Sequence, residues 1–199
     1  MSSNAEGQPS APQEPPARHG GSGLRELLET LIVAVLLAVV VRTFVVESYV
    51  VQGVSMRPTF INGEHVLVNK LAYVFGSPQP GQIIVFHPPL SYVHEDYIKR
   101  VVATAGETIG ITNGHLFVDG KAVPQPYIEY WDPTSFKTVV VPKGDVFVLG
   151  DNRPDSEDSR YFGPVPIRNI TGQAVFAFWP LSRLGGVGQP QPGARGYHA

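Results

Sequence analysis

The chain has 199 residues, enough for one compact body with a tail at either end and short for two independent cores. Its 15 Lys and Arg against 17 Asp and Glu leave a formal charge of -2 with no basic stripe, which argues against a nucleic-acid partner. The absence of cysteine removes disulfides, thiolate metal sites and cysteine nucleophiles together, and says little about compartment.

Residues 1–23, MSSNAEGQPSAPQEPPARHGGSG, are rich in Pro, Gly, Ser, Ala and Gln and lack apolar periodicity. They cannot bury enough surface to offset the entropy of ordering, so a disordered arm is expected. The stretch LRELLETLIVAVLLAVVVRTFVVESYVV follows. Its uninterrupted apolar run, Leu31–Val41, is half a membrane span, but Leu27–Val46 reaches the ~20 residues a spanning helix needs if Thr30, Arg42 and Thr43 are admitted. Arg42 near one end is placed to snorkel to the interface. A bulky VVESYVV follows the run in place of a small-x-small cleavage site, so an uncleaved anchor over residues 24–47 is expected. The alternative is an amphipathic or buried helix. Arg18 and Arg25 before the span nearly balance Arg42 and Arg57 after its core, so charge does not set the orientation.

The body, residues 48–183, carries short apolar or alternating runs punctuated by Gly, Pro, Asn and Asp: HVLVNK, QIIVFH, YIKRVVAT, TIGIT, HLFVDG, KTVVVP, DVFVLG and AVFAFW. That is the pattern of strands joined by tight turns, with Asn-Gly in TNGH and Asp-Gly in VDGK where type I′ hairpins want positive φ. A mostly β body is expected. Residues 184–199, in the Gly- and Pro-rich end, read as a flexible tail.

Three stretches carry candidate chemistry. In QGVSMRPTF, residues 52–60, Ser55 lies between Gly53-Val54 and Met56-Arg57-Pro58; either it is a nucleophile in need of a base or it decorates a polar turn with Thr59. The G-x-S-x-G elbow fails at Arg57. In EDYIKRVVATAGE, alternation puts Tyr97, Lys99 and Val101 on one strand face and Ile98, Arg100 and Val102 on the other, one of them expected inside. A lysine held in apolar surroundings loses affinity for its proton and can act as a general base near neutral pH, whereas a solvated edge lysine cannot. In LGDNRPDSEDSRYFGPVP, the spacing of a calcium loop fails at Arg153, and Arg153 and Arg160 would repel a cation. Internal pairing of Asp158 with Arg160 is the simpler account, with Ser156 and Ser159 offering neutral hydroxyls to an uncharged amine.

An N-terminal anchor, GVSMRPTF, PGQIIVFH, YIKRVVATAGE and GDNRPDSEDSRYFGPVP, in this order over most of residues 25–180, resemble the bacterial type I signal peptidases, membrane-bound serine endopeptidases that remove signal peptides. The resemblance implies a Ser-Lys dyad, with Ser55 as nucleophile, Lys99 as general base and Ser156 as the hydroxyl that orients the amine. Asp151, Asp158 and Arg160 match the acids and arginine that brace the catalytic loop, and Arg100 follows the base as in the family. Met56 and Pro58 match the turn that carries the serine. Val51, Met56, Phe60, Tyr97 and Ile98 fall where the family lines shallow pockets for small side chains at the first and third positions before the cut. Gly53 stands where some members place a serine that donates to the oxyanion; a glycine variant exists, so the second oxyanion donor is left open and the reaction is not. Pro154 and Asp155 depart from the commonest loop spelling without a derivable consequence.

The implied fold is a mostly antiparallel β catalytic domain with an inserted β-rich subdomain near residues 106–142, preceded by one transmembrane helix. The implied partners are preprotein signal peptides tethered in the same lipid bilayer, with no cofactor and no metal. The implied location is the plasma membrane, N-terminus cytoplasmic and catalytic domain outside. Three rivals compete with this reading: an anchored binding module, a histidine-dependent hydrolase or metalloenzyme using His65, His87, His94 or His115, and a soluble Ser-Lys autoprotease with a DNA-binding head. HEDYI has Ile98 where H-E-x-x-H needs its second histidine, and the hydrophobic stretch stands in place of a helix-turn-helix.

Overall fold

The computed structural model describes residues 22–187; the segments 1–21 and 188–199, which hold nearly all of the expected arm and most of the expected tail, lie outside the described residues. The chain divides into two units, Met1–Val39 and Val40–Ala199. The first is represented by helix α1 (Ser22–Val40), whose last residue belongs to the second unit. Leu, Ala, Glu and Arg favour this helix, and Arg25 pairs with Glu29 one turn on at 2.8 Å. At ~1.5 Å per residue α1 is roughly 28 Å long. Arg25, Glu26 and Glu29 occupy its start, and no helix among the described residues is long and apolar enough to cross a membrane.

The expected span, drawn to residue 47, ends earlier as an α-helix. A π-helical turn (Val41–Val45) leads into strand β1 (Val46–Val50). The β-branched run VVESYVV fits a pleated surface, and pairing with the next strand decides the matter.

The second unit is built from β1 and β2 (His65–Asn69), β3 (Ile83–Phe86), β4 (Tyr97–Thr104), β5 (Thr108–Thr112), β6 (His115–Val118), β7 (Lys121–Ala122), β8 (Phe136–Val140), β9 (Asp145–Leu149), β10 (Val165–Pro166), β11 (Ile170–Trp179) and β12 (Gly185–Gly186). One sheet runs β1-β2-β11-β3-β4-β9-β10 with β12 added to β11; a second, four-stranded sheet runs β7-β6-β5-β8 and occupies residues 108–140. All recorded pairings are antiparallel. Asn113-Gly114 and Asp119-Gly120 both have positive φ at the two turn centres of the β5–β6–β7 meander, as type I′ geometry requires. The expected tail begins too early at residue 184, since β12 pairs with Phe176 and Ala177 and Val187 N–H donates to Val175 O. Backbone ladders need no apolar side chains, which is why Gly-Gly gives no sign of them.

Alternation along β4 predicts one buried face; the structure buries both. Lys99 and Arg100 are each only 4% exposed. Bulges in β4–β9 and β11 bend the large sheet, and separate apolar clusters form. One gathers Val51, Met56, Phe60, Val66, Ile83 and Val85; another gathers Ile84, Phe86, Val101, Val146 and Val148, with Tyr97 packed against it. Each such side chain contributes on the order of 1.5–3 kcal/mol on burial, so the strand that carries Lys99 is held from both sides.

Candidate active site

Ser55 sits in a tight turn after β1, anchored below by Met56 and Phe60, which are 1% and 2% exposed. Val54 O accepts from Arg57 N–H at 3.1 Å and Met56 O from Phe60 N–H at 2.9 Å. Lys99 comes from β4, where Ile84 of β3 is its pairing partner. Its Nζ lies 2.8 Å from Ser55 Oγ in a hydrogen bond, and donates to Ile98 O at 3.1 Å. Burial pushes the Lys99 amine down to about 8, against the opposing pull of Asp158, Glu157 and Asp151. The arrangement joins a hydroxyl to an amine that sheds its proton near neutral pH. No histidine among the described residues bonds to Ser55 Oγ; His65 stacks on Phe178, His115 on Trp131, and His87 lies 3.6 Å from Asp96.

Arg100, next in the strand, is placed quite differently. Its Nε and Nη2 donate to the two oxygens of Asp151 at 2.9 and 2.7 Å, Nη1 donates to Gly81 O at 2.8 Å, and the guanidinium stacks 4.0 Å over Tyr127. Burial, the largest single influence, lowers its proton affinity, but the hydrogen bond to Asp151, the charge of that carboxylate and Tyr127 together outweigh it and raise it. Asp151 also accepts from Thr59 Oγ1, which ties the loop after β9 to the serine turn. Asp158 accepts from Gly150 N–H at 3.0 Å and from Arg160 Nε at 2.9 Å, and Arg160 reaches on to Asp132 and to Arg153 O. Asp158 also caps the short helix α2 (Ser159–Phe162).

Ser156 is 6% exposed and its Oγ has no hydrogen-bond partner among the described residues, Lys99 included. It packs against Gly150, where an added Cβ would meet Ser156 Cβ and Ser55 O, each at 2.6 Å. Gly53 has φ +85°, and its N–H is committed to Asn62 Oδ1 at 2.8 Å, so that donor is not open to a ligand. Ser55 N–H has no acceptor among the described residues. Pro58 closes the turn and its carbonyl accepts from Arg183.

A groove of about 630 Å³ opens over the pair, lined by residues 49–55, Val66, Val85, residues 94–99, Asp155 and Glu157. Val51, Tyr97 and Ile98 face it. Met56 and Phe60, expected in its pockets, do not line it and belong to the core beneath. Apolar character alone cannot separate a pocket wall from the layer supporting it. Two strand edges border the groove: among the described residues β1 pairs only with β2, and on the β9 side of β4 the ladder begins at Arg100, leaving Tyr97–Lys99 unpaired there. Sequence reasoning passes over Asn152, Tyr127, Asn62 and Asp132. Asn152 donates from its backbone to Ser55 O at 3.0 Å and from Nδ2 to Val54 O at 3.1 Å. A short polar residue between Asp151 and Arg153 in a Gly-bounded loop is the available signal, and it reads equally as a turn former.

Comparison with known proteins agrees with these motifs. The family described as signal peptidase, peptidase S26, matches residues 24–179. A signal peptidase I of Leptolyngbya laminosa is 37% identical over 94% of this chain and 98% of its own. Signal peptidase IB of Staphylococcus aureus (strain Mu50) is 37% identical over 80% and 93%. A solved signal peptidase I from Enterococcus faecalis V583, 31% identical, covers 49% of this chain and 96% of that one at a TM-score of 0.42. The chain therefore belongs to the signal peptidase family, peptidase S26, and is a serine endopeptidase.

Proposed function

We propose that this endopeptidase cleaves signal peptides from exported preproteins after small residues, with Ser55 as nucleophile and Lys99 as general base. The observation that carries the assignment is the 2.8 Å contact between Lys99 Nζ and Ser55 Oγ, made by an amine whose burial favours the neutral form. Lys99 takes the Ser55 proton as Oγ attacks the scissile carbonyl carbon; the resulting ammonium then protonates the leaving amine, and water, deprotonated by the same amine, hydrolyses the acyl-enzyme. Ser55 N–H, lacking an acceptor among the described residues, is the donor available to the oxyanion. Ser156, buried with an unpartnered Oγ in the loop that packs on Gly150, is assigned to orient the amine. Asp151, Asp158, Arg160 and Arg100 hold that loop against the serine turn.

The substrate runs extended along the unpaired edges of β1 and β4, which read its backbone. Val51, Tyr97 and Ile98 limit the size of its side chains. The apolar run Leu31–Val41 within the N-terminal stretch is assigned to a membrane anchor, with the N-terminus cytoplasmic and the catalytic unit outside, beside its tethered substrates. The test is cleavage of a preprotein with alanine at the first and third positions before the cut, by full-length enzyme in detergent. Ser55→Ala and Lys99→Ala should each abolish turnover while retaining the folded state, because the two groups act as a unit. Turnover by Lys99→Ala at the wild-type rate would remove the dyad, and loss in His94→Ala in its place would hand the base role to histidine.

A further inference from the structure

The loop after β9 contains a side chain that touches the serine turn and that the dyad leaves without a role. We infer that Asn152 is a positioning residue that fixes the plane of the Val54–Ser55 peptide and so aims the Ser55 N–H at the oxyanion. The inference rests on the dyad reading above, because it presumes that Ser55 attacks.

The geometry is specific to one peptide unit. Val54 C=O and Ser55 N–H are opposite ends of the same planar amide, so whatever holds the carbonyl also sets the direction of the N–H. Val54 O receives two donors, Arg57 N–H from within the turn and Asn152 Nδ2 from outside it, both at 3.1 Å. The next carbonyl, Ser55 O, accepts from Asn152 N–H at 3.0 Å. A single residue therefore grips two successive carbonyls around the nucleophile. Donation to the carbonyl end also polarises the amide and strengthens its N–H as a donor.

The orientation of the Asn152 amide follows from its neighbours. Nδ2 faces two oxygens, Val54 O and Asp155 Oδ2, the latter at 3.3 Å; turning the amide over would set Oδ1 against both. The side chain, 3% exposed, thereby leaves Oδ1 buried without a partner among the described residues. A folded protein rarely tolerates such an acceptor, and a hydrophobic residue of similar size would avoid it. Retaining the amide makes sense if Nδ2 is needed where it is. The lack of an acceptor for Ser55 N–H among the described residues points the same way, since the donor end of the amide is left for a ligand.

The experiment compares wild type, Asn152→Ala, Asn152→Asp and Ser55→Ala as full chains in detergent. It measures kcat and KM on the test preprotein, the acidic limb of the rate profile, and the affinities of a peptide aldehyde and of the matching peptide with a reduced scissile bond. The aldehyde adds Ser55 Oγ to its carbonyl carbon and places an oxyanion against Ser55 N–H; the reduced peptide has no oxygen there. Asn152→Ala should lower kcat by roughly 10–100-fold, short of the ~10²–10³ for outright loss of an oxyanion donor. KM and reduced-peptide affinity should stay within about threefold, aldehyde affinity should fall in step with kcat, and the acidic limb should not move. The near-isosteric Asn152→Asp, which sets a carboxylate oxygen against Val54 O, should lose at least as much and covers the case in which the alanine variant does not fold. Near wild-type kcat in either variant, equal loss of both affinities, or an acidic limb displaced in Asn152→Ala overturns the inference and leaves the dyad standing; the limb is not read in Asn152→Asp, whose added charge acts on Lys99 directly. An active Ser55→Ala would bring down the dyad reading and the inference together.

Discussion

Replacing Lys99 by methionine tests whether the amine is desolvated as the geometry requires, independently of catalysis. An unfolded lysine holds its proton to about pH 10.4, whereas burial brings the folded value to about 8. Between those two values the unfolded chain binds a proton that the folded chain has released, so wild-type stability must rise with pH across that window. Below about pH 8 both states are protonated, and the folded state carries the cost of a buried ammonium, about 3 kcal/mol at ~1.4 kcal/mol for each tenfold loss of proton affinity. Methionine has a similar stem and no charge, so Lys99→Met should be more stable than wild type near pH 7 by a large part of that amount. The advantage should shrink by about 1 kcal/mol on reaching pH 9 and by about 2.5 kcal/mol on reaching pH 10. Guanidinium unfolding of both chains in detergent, followed by tryptophan fluorescence, gives the difference at each pH, and other titrating groups cancel between the two proteins. If Lys99 is the base, as proposed, wild-type activity should climb with pH to a plateau above the same value of about 8. A stability difference that stays flat from about pH 7 to pH 10 would mean that Lys99 is solvated and would refute the base assignment.

Other substitutions probe the frame. Asp151→Ala strands the Arg100 guanidinium, 4% exposed and paired to both carboxylate oxygens, and should cost about 3–5 kcal/mol in denaturant unfolding; a loss under about 1 kcal/mol would show that water replaces the carboxylate. Gly150→Ala puts a Cβ 2.6 Å from Ser55 O and from Ser156 Cβ, so it should destabilise by about 1–3 kcal/mol and reduce kcat at least ~10-fold by displacing the serine turn. Unchanged kcat there would uncouple the loop from the turn. A Cβ added at Gly53 meets no atom of the described residues within 4 Å, so Gly53→Val should cost at least the strain of its φ of +85°, about 1–2 kcal/mol for a non-glycine residue. Gly53→Ser carries much of the same strain, and an unaltered unfolding midpoint in both would show that the turn relaxes.

Sheet content is legible in the sequence because punctuation and alternation are local signals. Asn113-Gly114 and Asp119-Gly120 turn where the dipeptides indicate, with φ of 46° and 49° at the asparagine and aspartate. Ser55 and Lys99, 44 positions apart, are matched through motif resemblance; no period or composition links them, and their 2.8 Å contact depends on how β4 meets the turn after β1. The helix boundary is misplaced from sequence because VVESYVV suits an apolar helix and a strand equally well until β2 pairs with it. Met56 and Phe60 fall to the groove for being apolar, a property that wall and core share. Asn152 escapes notice because its importance lies in donating to carbonyls on another segment, a relation that sequence spacing does not encode.

Lys99 and Arg100 show how one strand serves two electrostatic ends. Equal burial would push both toward losing their protons, but a guanidinium cannot do so near neutral pH and must be paired or excluded. The fold pairs it: Asp151 takes two of its N–H groups, Gly81 O a third, and Tyr127 covers its face. Among the described residues Lys99 Nζ bonds only to a hydroxyl and a carbonyl, neither charged, with the Tyr97 ring 5.1 Å away. A carboxylate in direct contact with Lys99 would restore its proton and extinguish its basicity. Asp151 is therefore as useful for where it does not reach as for what it holds, since its oxygens are consumed by Arg100 and Thr59. The same is true of Asp158, whose acceptor sites go to Gly150 and Arg160. Two of the three acids that raise the Lys99 proton affinity are thus occupied by arginines, the third, Glu157, accepts from the Tyr97 hydroxyl at 2.8 Å, and burial retains the upper hand. On the proposed dyad, the arginines protect the neutrality of Lys99, and the loop that carries the acids must stay closed on the serine turn for that lysine to serve as base.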